Sequence, residues 1–207
     1  MKYSVAIKHF KRIIDKRSVR EALRGVYFKG NTMTGTDSKR LLCCEVENKD
    51  FEPSIVDINN DEKMDVTYPQ TENLILKNPD ITIDIEADKI KSLKRVVTCI
   101  KQLGHKQVEL KKEKDYWFIK TNCLSTEDEK ADADAEIKYK VAKDTTTSEQ
   151  QRLFQTKYLL NALEFVYETK EDMKIELLNN PLSQVQFSNV SNSKDKYKYL
   201  IMPLRNY

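Results

Sequence analysis

Three times along the chain an extended apolar run leads into an amphipathic helix and then into two or three strands of alternating polarity. The first unit opens on an extended stretch from Tyr3 to Ile7 and a helix from about Lys8 to Lys16. Strands follow near Val26 to Lys29, Thr32 to Gly35 and Leu41 to Val46. The second opens on ITIDI, Ile81 to Ile85, predicts a helix from about Asp88 to Leu103, and continues with QVELKK, YWFIKT and EIKYKV. In the third, RLFQT leads into a helix near Lys157 to Tyr167, and then MKIELL, VQFSNV and KYLIM. Period-2 alternation is what a strand with one buried face shows. Turn residues fall between the strands at Gly30-Asn31, Asn179-Asn180-Pro181 and Ser191-Asn192-Ser193. Strands that mostly follow one another without crossover helices favour such a repeated unit over a parallel α/β sheet. The pattern therefore predicts an α+β fold of repeated β-α-β-β-β units, with antiparallel sheets and amphipathic helices on one face.

The helices carry a charge pattern of their own. On the second, Ile90, Leu93, Val97 and Ile100 form an apolar stripe, while Lys91, Lys94, Arg95, Thr98 and Lys101 share the opposite face. The first buries Phe10, Ile13 and Ile14 and presents Lys8, Lys11, Arg12 and, past the acid at Asp15, Lys16. One cationic helix face is ordinarily just solvated. Two in successive repeats point to a surface that tracks phosphates, independent of sequence and sensitive to salt.

Composition removes several classes. The 207 residues leave room for one large or two small cores, and 39% apolar with 33% charged residues is ordinary for a globular protein. No run approaches the length needed to span a bilayer and no signal-peptide pattern opens the chain, so a cytoplasmic protein is expected. The cysteines at 43, 44, 99 and 123 form no C-x-x-C pair, which argues against a metal or disulfide framework. His9 and His105 stand in no motif with a nucleophile or carboxylate pair; His105, after Gly104, suits a helix end. The acidic stretch Thr126 to Glu136 lacks the glycine and terminal glutamate of a calcium loop and is expected to be a solvated loop. No catalytic site, metal or cofactor is expected, and a binding protein is favoured over an enzyme acting on DNA. The segment Asn48 to Tyr68 is expected to hold a short strand, SIVDI, between flexible loops.

The chain's last residues, YLIMPLRNY, set an alternating strand before a proline that cannot continue a ladder. This ending resembles the C-terminus of the bacterial DNA polymerase III β sliding clamp family. Two internal segments resemble the same family in the same order. Val19 to Leu42, VREALRGVYFKGNTMTGTDSKRLL, is similar to the segment in which an L-x-G strand turns back into a T-D-G-x-R-L motif. Tyr68 to Val96 resembles the last interdomain connector, where an aromatic-Pro pair precedes L-x-K-N-P-D and the final domain's first helix. The matches correspond to the second and third domains of a three-domain clamp and imply the DNA clamp fold.

The resemblance also implies a peptide pocket of Leu23, Thr36, Ser38, Lys39, Arg40, Leu41, Pro69, Leu74, Leu200, Met202, Pro203, Leu204 and Arg205. Such a slot suits a short extended peptide with leucine or phenylalanine anchors. Asn73 stands where the family usually has arginine, and Asn206 and Tyr207 extend the tail past the usual end, where Tyr207 is expected either to cover the pocket or to add an aromatic wall. Only 27 residues, Leu42 to Tyr68, separate the turn motif from the connector. The expected division is a truncated clamp-like domain at 1–68, a connector at 69–80 and a complete clamp-like domain at 81–207. The implied function is a processivity factor that tethers a DNA polymerase and other proteins with clamp-binding motifs to double-stranded DNA, with a clamp loader as a further partner, working as a homo-oligomer. The alternative is a clamp-derived peptide-binding module or regulator that does not encircle DNA.

Overall fold

A computed structural model describes residues 1–121, 136–145, 148–190 and 196–205. The acidic loop expected at 126–136 falls outside them except at Glu136, as do Cys123, the turn at 191–193, and Asn206 and Tyr207. The chain divides into two compact units, Met1–Lys77 with Ser191–Leu200, and Asn78–Val190 with Ile201–Tyr207.

The first unit sets one helix, α1 (Tyr3–Ile13), against an antiparallel sheet. Its strands are β1 (Val26–Gly30), β2 (Thr32–Thr36), β3 (Arg40–Glu45), β4 (Phe51–Asp57) and β5 (Glu62–Met64), in the order β5-β4-β1-β2-β3. Residues Tyr197–Leu200 of β13 (Tyr197–Ile201) run beside β3. The helix begins at Tyr3 and not, as the pattern suggests, at Lys8 after an extended run. Ala6, Phe10 and Ile13 are buried at helical spacing, so the apparent alternation of Tyr3, Val5 and Ile7 is the shoulder of a helical stripe. The acidic run expected as loop contains the short edge strand β5, paired Ile55↔Met64 to Asp57↔Glu62.

Two glycines are fixed by packing. A Cβ on Gly35 would stand 2.6 Å from the Phe10 ring, and one on Gly25 2.7 Å from both Ile55 and Met64. Gly30 has φ +56° in the two-residue turn that closes the β1–β2 hairpin, where an L side chain is strained.

The second unit contains β6 (Ile81–Ile85), α2 (Ala87–Gln102), β7 (Gln107–Glu113), β8 (Tyr116–Thr121), β9 (Lys138–Lys143), β10 (Gln151–Gln155), α3 (Thr156–Thr169), β11 (Met173–Leu177) and β12 (Val185–Asn189). Its sheets run β12-β11-β6 and β10-β7-β8-β9, all antiparallel. Helix α2 buries Ile90, Leu93, Val97 and Ile100 and packs on α3. Each such side chain contributes about 1.5–3 kcal/mol on burial. The expected cap at the end of α2 is there, but the backbone makes it. Gly104, at φ +88°, gives its N–H to the Lys101 carbonyl, and His105 gives its N–H to the Ile100 carbonyl. That pair of bonds satisfies the last turn's carbonyls and ends the helix without a histidine cation. Trp117 is fully buried on β8 and its Nε1 donates to Asp144 at 2.9 Å.

Candidate peptide pocket and basic helix faces

In the first unit the Thr-Asp-Ser-Lys-Arg turn closes on itself. Thr36 Oγ1 donates to the Arg40 carbonyl at 2.6 Å, and Asp37 Oδ1 accepts the backbone N–H groups of Lys39 and Arg40 at 2.9 and 2.6 Å. Asp37 Oδ2 accepts Arg40 Nε and Nη2 at 2.9 and 2.8 Å, and Nη2 also reaches the Arg12 carbonyl at 2.9 Å. Arg40, only 5% exposed, thus ties the turn to the end of α1 and is not a cation on a rim. Tyr199 is buried in the same unit; burial pushes its hydroxyl pKa up, opposed by the nearby Arg40. Leu23, Thr36, Leu41 and Leu200 are also buried. Of the residues the resemblance points to in this unit, those that reach water are Ser38, Lys39, Pro69 and Leu74.

The connector is pinned by its tyrosine. Tyr68 stacks on Tyr27, with ring centroids 5.4 Å apart and planes 18° apart, and its hydroxyl donates to the Thr34 carbonyl at 3.1 Å. Burial pushes its pKa up. Pro69 and Asn73 then line a cavity of about 830 Å³ over this sheet, together with Tyr27, Thr34 and Cys43.

The tail residues Met202 to Arg205 lie in the second unit. Leu204 donates its N–H to the Leu153 carbonyl at 2.7 Å, so the chain after Pro203 is held on the edge of β10. Met202 is 39% exposed, Pro203 and Leu204 are half-buried, and Arg205 is exposed. Leu204 lines two cavities. One, of about 570 Å³, also has Leu153, Pro181, Leu182, Gln151 and Lys111 in its wall. The other, of about 420 Å³, has Lys101, His105, Thr156 and Lys157. The first is shaped by Arg152, buried beside it, whose Nη2 reaches the carbonyls of Leu178 at 2.6 Å and Asn180 at 3.3 Å. That guanidinium fixes the 178–182 loop against β10, and burial lowers its pKa. Leu153 and Leu182 were not foreseen from sequence. Leu182, 48% exposed within the polar run NNPLSQ, was the available signal.

The basic helix faces also divide by unit. On α1, Lys8, Lys11 and Arg12 are exposed, as is Lys16 just beyond it. On α2, Lys91, Arg95 and Lys101 are exposed, whereas Lys94 is half-buried with its Nζ 3.9 Å from the centre of the Tyr167 ring. Such a cation–π contact makes Lys94 partly a packing residue between helices. Among the described residues no group of three or more His, Cys, Asp or Glu is placed to hold a metal ion, and no helix is long and apolar enough to cross a membrane.

No protein-family model matches this chain. No curated protein matches it by sequence. Solved structures do match by shape. The DNA polymerase sliding clamp of Bacillus subtilis superposes with a TM-score of 0.76 at 16% identity, over 98% of this chain and 62% of that one. The DNA polymerase III β chain of Streptococcus pneumoniae gives 0.75 at 13%, over 98% and 62%. The Helicobacter pylori β clamp bound to a DNA ligase peptide gives 0.71 at 15%, over 97% and 62%. The chain spans less than two thirds of the length of each of these. With its antiparallel sheets, its paired helices in the second unit and near-complete coverage of its own length, the chain has the α+β fold of the bacterial DNA polymerase III β sliding clamps.

Proposed function

We propose that this chain is a non-enzymatic, sliding-clamp-like protein that tethers DNA-acting partners to duplex DNA. What supports this is the clamp fold over nearly the whole chain, joined to exposed cations at helical spacing on α1 and α2. Lys8, Lys11, Arg12, Lys16, Lys91, Arg95 and Lys101 supply a phosphate-facing surface without base readout, with Lys94 held closer to the protein. Peptide recognition is assigned to the tail, Met202 to Arg205, with Leu153 and Leu182 as apolar walls. In the first unit, taken by itself, Lys39, Pro69 and Leu74 are exposed, and Leu23, Thr36, Arg40, Leu41 and Leu200 are buried beneath them. The partners are a DNA polymerase, other proteins that carry short leucine- or phenylalanine-anchored clamp-binding motifs, and a clamp loader. The protein works in the cytoplasm as a homo-oligomer.

Retention on DNA tests the reading. Protein loaded on nicked circular plasmid is expected to stay through gel filtration at moderate salt and to leave once the plasmid is linearised. Equal loss from both forms sinks the tether. Persistent peptide binding after that loss selects the non-encircling regulator.

A further inference from the structure

On the four-stranded sheet of the second unit, the peptide cavity takes the β10 side of one face at Leu153, Gln151 and Lys111, and the tether does not use the rest of that face, on β8 and β9. Register puts Glu109↔Lys120↔Lys138, Lys111↔Phe118↔Lys140 and Glu113↔Tyr116↔Lys143 in three cross-strand rows. Side chains two apart on a strand share a face, so these rows lie together opposite the buried Val108, Leu110, Trp117 and Ile119. Lys138, Lys140 and Lys143 are exposed, and Lys111 and Lys120 are partly so. The five ammonium groups meet two carboxylates. Glu113 binds Lys120 at 3.0 Å and also Lys138, with Lys111 at 3.9 Å; Glu109 lies 3.6 Å from Lys120. A net positive face therefore remains after every pair is counted.

Two half-exposed aromatic rings stand inside this cationic frame. Tyr116 and Phe118 sit on the central strand β8 with centroids 6.4 Å apart and planes tilted by 59°, so neither ring covers the other. Each instead carries a lysine, Lys140 Nζ at 3.9 Å from the Tyr116 centre and Lys138 Nζ at 4.3 Å from that of Phe118. A lysine's four-carbon stem is long enough to carry its ammonium from ring to phosphate, which would uncover a π-face and supply its counter-charge together. Aromatic rings set among lysines on an open sheet are the chemistry of single-strand recognition, where bases stack and the backbone is neutralised.

We propose that this sheet face binds a single strand of nucleic acid, with Tyr116 and Phe118 as stacking platforms and Lys138, Lys140 and Lys143 as phosphate contacts. This face is formed by strands, distinct from the exposed face of α2 in the same unit.

The test is fluorescence anisotropy of the full chain with a labelled oligothymidylate of about 15 nucleotides at low salt. Binding is expected, with a log–log salt slope of about −2 for three neutralised phosphates. Replacing both rings, Tyr116→Leu with Phe118→Leu, is expected to weaken it by about tenfold or more. Lys140→Gln with Lys143→Gln, at exposed positions that leave the core intact, is expected to flatten the salt slope. Lys91→Glu with Arg95→Glu on α2 is expected to leave single-strand binding unchanged while weakening duplex binding. The proposal is overturned if oligothymidylate does not bind, or if the α2 variant abolishes its binding. It is equally overturned if a poly-glutamate peptide competes as well as the oligonucleotide and the ring variant loses nothing, which would make the face a docking site for acidic protein. Loss of duplex binding alone strikes the tether and leaves this site standing.

Discussion

Ser38 occupies the third position of the Thr-Asp-Ser-Lys-Arg turn with φ +67°, the left-handed region that an L side chain enters only at a cost. Its backbone N–H accepts no substitute geometry, because it donates to Thr36 Oγ1 at 3.1 Å while the next two N–H groups are held by Asp37. Ser38→Gly is therefore expected to stabilise the protein by about 1 kcal/mol, read as a higher urea midpoint with an unchanged slope. Arg40 is the opposite case. Its guanidinium is buried with Asp37, so Arg40→Ala leaves that carboxylate without its partner and is expected to cost about 3 kcal/mol of folding stability. Lys39→Ala next to it, on an exposed side chain, is expected to leave the urea midpoint unchanged. The two together separate a residue that builds the turn from one that faces solvent, open to the proposed peptide. The motif was legible in the sequence, but the inward fold of Arg40 was not. Arginine is usually exposed, and nothing in a linear string shows that the Arg12 carbonyl comes within 2.9 Å of it.

Elements with a strong period were legible, and those that depend on a neighbour were not. Helix α2 shows its stripe and its glycine stop in sequence, and the structure runs Ala87–Gln102. Helix α1 is harder because its first turn holds Tyr3, Val5 and Ile7 at alternate positions. Burial of Ala6 against the sheet, not the period alone, makes that turn helical. Strand β5 carries almost no apolar signal and exists because β4 offers it a ladder. The outward face of β7 and β8 likewise shows in sequence only as mixed charge; register is needed to see Glu113 meet Lys120 and Lys138. Those hydrogen bonds hold the Glu113 carboxyl at about 2, well below its ordinary 4.5. A depressed carboxyl stabilises the fold fully above the unfolded value, and the contribution is lost as pH falls from about 4.5 towards 2. With the side chain 26% exposed, water limits the network to about 1 kcal/mol. Glu113→Gln is expected to cost about that much at neutral pH, and thermal melts of the two proteins should converge as pH drops through the acid window. A constant difference at all pH values would show that Glu113 acts by packing alone.

At the scale of the whole molecule, the proposed tether implies an assembly, and the open sheet edges are where we propose its contacts. In the second unit β9 ends the order β10-β7-β8-β9, and in the first β5 ends its sheet after three residues. Backbone N–H and C=O groups on such edges seek partners, and lysines at Lys138, Lys140 and Lys143 blunt indiscriminate pairing on β9. The first edge is the opposite in sign, since Asp61, Glu62 and Asp65 flank the single Lys63. For the proposed homo-oligomer, a basic edge in one unit and an acidic edge in the other favour a head-to-tail contact between copies, which closes into a ring when the rotation per copy divides a full turn. Light scattering after size-exclusion chromatography is expected to give a discrete mass at a whole multiple of 24.3 kDa, stable across a dilution series at low salt. Because exposed edge charges steer the encounter, raising the salt is expected to shift that mass downward before any unfolding. Glu62→Lys, which removes the net negative charge of the β5 edge at an exposed position, is expected to push the equilibrium towards monomer, and Lys140→Glu in the same chain to restore it. A mass of 24.3 kDa at every concentration and salt would leave no ring for DNA to pass through, and the proposed peptide site at the tail would then act without encirclement.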